Sequence, residues 1–411
     1  MPPRPAPRAS PRLAAHRSLG IGLLLAGCGV GAGLLVGKET GGAGFAAGLG
    51  LALLPLPLLF GVFGWMDALV PKPRRTVAFA FGWGSCAATL LALLVNGLVT
   101  KWLTGHAATM APEHADTLEL TVVAPMVEES AKAAAVLLLF VYRPPTFHGI
   151  LPGIWAAGLT ATGFAFTENV LYLGGSFAED REAGVTDVLD SQTVLTFVVR
   201  IVLAPLAHPM FTALTGLGFG LASLLATRRR APRIGLPLLG LAAAMGLHSA
   251  WNASTSLSLT GFALVYGLLM LPVLGSLSLL VVWARRRQLE LLLRHLPVYA
   301  RAGWLGPEEP AALASPSARR LARRLARRRH GAAGTRALAA YQAAALTLAL
   351  LRDRAERGTA GRGFPAAERE LLHRLWQHRA LAAPPTAASA PAPPAAEEQP
   401  GARGEAGRAP R

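Results

Sequence analysis

The chain has 411 residues, 15% of them charged, a formal net charge of +17 and a mean hydropathy of +0.41. That balance excludes a soluble globule and indicates a polytopic membrane protein. The basic residues gather at the termini and in alternate short loops, as orientation in a bilayer requires, so nucleic acid is excluded as the reason for the charge.

A spanning helix needs about 20 apolar residues. Eight such runs follow one another, near 18–37, 43–66, 76–100, 120–141, 149–173, 194–226, 234–253 and 262–284. Arg4, Arg8, Arg12 and Arg17 precede the first, and Leu25-Ala26-Gly27-Cys28 within it has the form of a lipoprotein cleavage box. The apolar sequence continues from Gly29 to Gly37, where a cleaved leader would give way to polar residues, so an uncleaved span is expected. Cys28 and Cys86 both lie in apolar runs and support neither a disulfide framework nor a metal knuckle.

The connecting loops alternate in character. Lys72, Arg74 and Arg75, then Arg143, then Arg228 to Arg233, then Arg285 to Arg287 follow the even-numbered spans. Glu113, Asp116 and Glu119, and then Glu179, Asp180, Glu182, Asp187 and Asp190, occupy the opposite side. The positive-inside rule then places both termini in the cytoplasm. In the long sixth run Pro205 and Pro209 bracket His208, with Arg200 upstream, which predicts a kink or break.

Beyond the eighth span, Ser317 to Arg329 interleaves arginine pairs with leucine and alanine, a pattern suited to anionic lipid at about 1 kcal/mol per basic residue. Ala337–Leu351 is short and alanine-rich and is expected to be a packed helix, not a ninth span. Pro365 opens another helix reaching Leu381, as proline at a first helical position does. The expected fold is therefore all-α: a bundle of about eight transmembrane helices with a short helical cytoplasmic tail. Its parts are a basic cytoplasmic N-terminus over 1–17, a transmembrane domain over 18–284 with its core at 120–253, an arginine-rich helical tail over 285–381, and a disordered end over 382–411.

The chemistry lies in spans four to seven. They carry Glu128-Glu129-Ser130-Ala131-Lys132, then Phe164-Ala165-Phe166-Thr167-Glu168-Asn169, then His208-Pro209, then His248-Ser249-Ala250-Trp251-Asn252. A charged side chain at mid-bilayer costs roughly 2.5–3.5 kcal/mol, so groups of this kind on four consecutive spans are expected to face one another. Residues four apart share a helix face, so Glu128 can meet Lys132, Phe164 lies under Glu168, and His248 points with Asn252. At 1.5 Å per residue, Glu128, Glu168 and His248 all fall roughly 8–12 Å from the outer ends of their helices, with His208 somewhat deeper. Asn169 and Arg200 suit hydrogen bonds across helices, and Lys132 suits a charge partner for a glutamate.

These elements, in this order, resemble the PrsW family of bacterial intramembrane proteases, itself similar to the CAAX-protease and bacteriocin-processing superfamily. The resemblance runs from about Ala124 to Asn252. It implies a membrane peptidase of the bacterial plasma membrane that clips the extracytoplasmic side of a single-pass membrane protein, typically an anti-sigma factor. The arginine-rich tail lies outside it.

Two mechanisms fit the residues. In one, Glu128 is a general base toward water, Glu129, Glu168 or His208 holds or shares the proton, and His248 and Asn252 donate to the developing oxyanion. In the other, Glu168, His208 and His248 bind zinc and Glu128 acts on the water it activates, two histidines and a carboxylate being a known catalytic zinc set. A proton-coupled transporter would also use intramembrane glutamate and histidine. The two halves of the chain show no repeat of the kind transporters often carry.

Overall fold

A computed structural model describes residues 11–105, 117–142, 147, 149–225, 229–361 and 363–382. The loop residues Glu113, Asp116, Arg143 and Arg228, and the end beyond Ala382, lie outside the described residues. Every regular element among the described residues is helical. The chain divides into two compact units, Met1–Arg285 and Arg286–Arg411.

In the first unit, α1 (Pro11–Leu53) begins within the expected basic N-terminus and is interrupted at Gly41, whose φ of 66° suits a residue without a Cβ. Then come α2 (Leu56–Asp67), α3 (Arg74–Gly82) and α4 (Thr89–Gly105), the last two joined by a π-helical turn over Trp83–Ala88. A second π-turn, Glu119–Val123, leads into α5 (Ala124–Tyr142), and α6 covers Ile150–Glu182. The helix α7 (Gln192–Phe197) passes through a π-turn at Val198–Leu203 to a break, after which α8 runs over Ala207–Leu224. Finally α9 (Arg230–Ser254), α10 (Leu259–Val265), a π-turn at Tyr266–Met270 and α11 (Leu271–Arg301) follow, α11 continuing past Arg285 into the second unit.

Six helical segments among the described residues are long and apolar enough to cross a membrane: Ser18–Asp67, Arg74–Trp102, Ile150–Glu182, Gln192–Leu224, Arg230–Ser254 and Leu259–Arg301. The sequence suggests eight, and two particulars account for the difference. Ser18–Asp67 contains the first two runs. Leu25, Gly29 and Gly31 lie against Gly82, Cys86 and Leu90 in that order, and Gly163 and Thr167 lie against Phe81 and Ser85 in the same sense. Gly44 and Phe63, by contrast, meet Gly174 and Gly158 of α6 in reverse order, so the chain turns back at Gly41. The other missing run is the helical segment Glu119–Tyr142, which carries Glu119, Glu128, Glu129 and Lys132 and so lacks a fully apolar window.

The centre of the bundle is α6. Of its apolar window 78% is buried, against 28% or less in the other five spans. Small residues permit this: a Cβ on Gly163 would strike the Phe81 carbonyl and one on Gly153 the Gly216 carbonyl, so backbones meet there at close range. The expected interruption of the sixth run falls at Ala204–Leu206, where Ala204 has φ −125° and ψ 40° and Leu206 has φ −101° and ψ 7°. Pro209 then lies in the first turn of α8, where proline removes no helical hydrogen bond.

In the second unit are α12 (Glu309–Ala314), α13 (Pro316–Glu356) and α14 (Phe364–Ala382). Ser315 caps α13 by accepting from the Ala318 amide. Leu346, Leu348 and Tyr341 of α13 are buried, so Ala337–Leu351 packs within this unit. On the earlier turns Arg320, Arg324, Arg327, Arg328 and Arg329 are exposed.

Candidate active site

The pair Glu129 and Lys132 anchors the site on α5, both with 0% exposure. Lys132 Nζ donates to Glu129 Oε1 at 2.7 Å and reaches Glu128 Oε2 at 3.4 Å, as the spacing of three and four residues allows. The ammonium also stands 4.0 Å from the centre of the Phe164 ring, a cation–π contact from α6. Burying this lysine is tolerable only because carboxylates and a ring face surround it.

Two histidines close on the same point. His208, at the start of α8, places Nδ1 3.3 Å from Lys132 Nζ and Nε2 2.6 Å from Glu168 Oε2. An ammonium can only donate, so Nδ1 accepts and the ring hydrogen sits on Nε2, on the side of the Glu168 carboxylate. His248 of α9 donates from Nδ1 to Glu129 Oε1 at 3.1 Å, which leaves Nε2 facing Glu128 Oε2 at 3.8 Å. The two rings are 5.0 Å apart and perpendicular, and Phe211 stacks on His248 at 4.9 Å.

Each carboxylate is held differently. Glu129 Oε2 accepts from Thr212 Oγ1 at 2.8 Å, so both of its oxygens are engaged. Glu168 pairs with Arg200 at 2.7 Å, and Arg200 Nε donates to Asn169 Oδ1 at 2.7 Å while its guanidinium covers the Tyr172 ring at 4.1 Å. Glu128 has the loosest engagement, with contacts of 3.4 and 3.8 Å only. Three ionised glutamates would exceed the charge of Lys132 and Arg200 by one, an excess that one retained proton cancels and that a bound divalent cation outweighs by one.

The donor set fits a divalent metal ion. Among the described residues, Glu128, His208 and His248 each bring one ligand-capable atom within 4.8 Å of the others. Each histidine has its second nitrogen held by a carboxylate, Glu168 for His208 and Glu129 for His248, the arrangement that orients ligating imidazoles. The three-residue group therefore contains Glu128 in place of Glu168, which stands behind His208.

Of the residues singled out in the sequence, Glu128, Glu129, Glu168, His208 and His248 come together here. Asn252 does not: its Nδ2 donates to the Leu120 carbonyl at 2.9 Å and ties α9 to the π-turn before α5. Thr212 was not singled out, although it lies one helical turn beyond His208 on the same face. The π-turns also serve the site. Trp83 of the first donates to the Ala131 carbonyl at 2.9 Å, and Arg200 of the third holds Glu168. Such turns shift the register of one helix against the next and are frequent at functional sites.

A family model described as PrsW family intramembrane metalloprotease matches residues 72–277, just over half of the chain and the whole of this cluster. No curated protein and no solved structure matches the chain.

Proposed function

Because the chain belongs to the PrsW family of intramembrane metalloproteases, we propose that it is an endopeptidase that hydrolyses a peptide bond near the extracytoplasmic face of a single-pass membrane protein. An anti-sigma factor is the substrate type we favour, with the plasma membrane of a bacterium as the location and both termini in the cytoplasm. The alternation of basic and acidic loops supports that orientation. The exposed arginines of α13 are assigned to anionic lipid.

The observation that carries the reading is the convergence of Glu128, His208 and His248, with a carboxylate behind each imidazole. These three residues would hold a divalent ion, zinc by the chemistry of the set. When bound, the ion supplies Lewis-acid polarisation of the scissile carbonyl and lowers the pKa of water. Glu129 and Glu168 fix the two rings and their tautomers. Thr212 keeps Glu129 in place, and Arg200 does the same for Glu168. Lys132 sets positive charge beside Glu128 and His208, where negative charge develops on the carbonyl oxygen in the transition state.

One observation favours a second reading without metal. Lys132 Nζ already faces His208 Nδ1, the nitrogen an ion would use. In that reading Glu128, the least engaged carboxylate, takes the proton from water, and the lysine is the resident cation.

The test compares protein N-termini in membranes carrying the wild type or Glu128→Gln at matched expression. New extracytoplasmic termini of single-pass proteins are expected with the wild type alone. Identical termini in both, together with loss of solute uptake by the variant, would replace the protease reading with a transporter.

A further inference from the structure

The first half of α13, from Pro316 to His330, is rich in arginine and holds no acid, and the next carboxylate in the chain is that of Asp353. Its inner face is fixed by packing. Arg319 and Ala326 are buried, Arg323 Nε donates to Gln342 Oε1 at 2.7 Å, and Gln342 Nε2 donates to the Arg319 carbonyl at 3.3 Å. The helix is interrupted at Gly331, where φ is 60°, so these bonds tie its two halves together. The outer face then presents Arg320, Leu321, Arg324, Leu325 and Arg328. Leu321 and Leu325 are four apart and share that face, with 58% and 40% exposure. Surface arginines elsewhere in this unit pair with acids, Arg287 with Glu290 and Arg374 with Glu370. Among the described residues, Arg320, Arg324, Arg327, Arg328 and Arg329 form no ion pair.

We propose that this face lies in the plane of an anionic bilayer surface, with Leu321 and Leu325 inserted among the acyl chains and the arginines around them on lipid phosphates. The proposal rests on the lipid assignment above and adds the insertion. Charge alone does not choose the partner, because a polynucleotide also offers phosphates. The leucines choose it. Against a polynucleotide backbone they would stay in water, whereas an interfacial helix buries its apolar side chains about 5–10 Å into the boundary of headgroup and acyl chain. Singly exposed leucines are ordinary on a protein surface. Two on one face, inside a run of unpaired arginines, have the composition of a helix that lies on a membrane.

Two leucines would hold a free protein only weakly. Here the unit is already tethered, since α11 runs unbroken past Arg285 into it. A tether makes docking intramolecular, so a small inserted area suffices. The arginines supply the dependence on lipid charge, each multiplying the docking constant by about fivefold at an anionic surface. The result is a second attachment of the unit to the membrane, present on acidic lipid and absent on neutral lipid.

The test attaches a nitrobenzoxadiazole probe to Leu321→Cys or Leu325→Cys in the full chain, with Cys28→Ala and Cys86→Ala, in nanodiscs of phosphatidylglycerol or phosphatidylcholine. In phosphatidylglycerol both probes should shift to blue emission and be quenched by doxyl groups on the acyl chains. In phosphatidylcholine both should report water. Arg324→Gln together with Arg328→Gln should weaken docking by about 25-fold and return the probes to water on the acidic lipid. If one labelled protein fails to fold, the other decides alone. Equal insertion into both lipids would leave the arginines without a role and overturns the proposal. Probes in water on phosphatidylglycerol, yet shielded from acrylamide at low salt and not at high salt, overturn the insertion and leave the arginines on headgroups. Probes in water and equally open to acrylamide in both lipids overturn the lipid assignment as well, and an emission shift on adding single-stranded RNA would then give this face to nucleic acid.

Discussion

The ammonium of Lys132 lies 3.3 Å from Nδ1 of His208, a residue 76 positions away and on another helix. This contact separates the two hydrolytic mechanisms, because an ion held by Glu128, His208 and His248 needs the side of the imidazole that the lysine faces.

Metal content and chelation follow from that relationship. On the metal reading, detergent-purified protein holds about one zinc per chain and loses cleavage in strong chelator. His248→Ala should abolish the bound zinc. Glu168→Gln should weaken it by about 10–100-fold, as removal of a group behind a ligating imidazole does. Full cleavage in chelator, with no zinc by elemental analysis, would assign the chemistry to Glu128 and Lys132 alone.

Lys132→Met should destabilise the bundle strongly. The substitution leaves Glu129, with 0% exposure, without its closest cation. Removing one partner of a buried pair costs about 3–5 kcal/mol. Thermal unfolding in detergent should show a large drop in Tm. A Tm equal to the wild type's would mean that the lysine does not balance the carboxylates.

Thr212→Val should lower cleavage while the protein stays folded. Its hydroxyl holds Glu129, which in turn holds His248. A hydrogen bond to a charged group contributes about 1.5–3 kcal/mol. Thr212→Ser should restore the rate, since it returns the hydroxyl. Equal rates in the valine and serine variants would remove Thr212 from the positioning of the site.

Asn252→Ala distinguishes a tether from an oxyanion donor. Loss of a donor to the transition state costs about 10²–10³ in rate. Loss of an interhelical hydrogen bond in a membrane averages about 0.6 kcal/mol. The bond to the Leu120 carbonyl predicts the smaller effect, with most activity retained. A hundredfold fall in rate without loss of stability would return Asn252 to the chemistry.

Gly163→Ala and Gly246→Ala form a matched pair for packing. A Cβ at Gly163 would strike the Phe81 carbonyl, whereas one at Gly246 meets nothing within 4 Å. Overpacking costs about 1–3 kcal/mol, so the first variant should lose stability. The second should gain up to about 1 kcal/mol from helix propensity. Equal unfolding temperatures would mean that α6 does not depend on close approach at that point.

The sequence by itself determined that this is a helical membrane protein, where its apolar runs lie, and that spans four to seven carry the ionisable groups. It could do so because length and hydropathy decide membrane insertion locally, and because helix periodicity fixes which residues of one helix share a face. The resemblance to the PrsW family was legible for the same reason, since its motifs are short and each sits on a single helix.

Only the tertiary structure decided which groups meet. Periodicity does not set how far each helix is rotated about its own axis; backbone approach at residues such as Gly153, Gly163 and Gly216 does. That rotation brings Glu128 to the histidines, leaves Glu168 behind His208, draws in Thr212 and turns Asn252 to a carbonyl. It also folds the first long apolar segment back on itself at Gly41, a reversal that depends on one residue's freedom to adopt a positive φ.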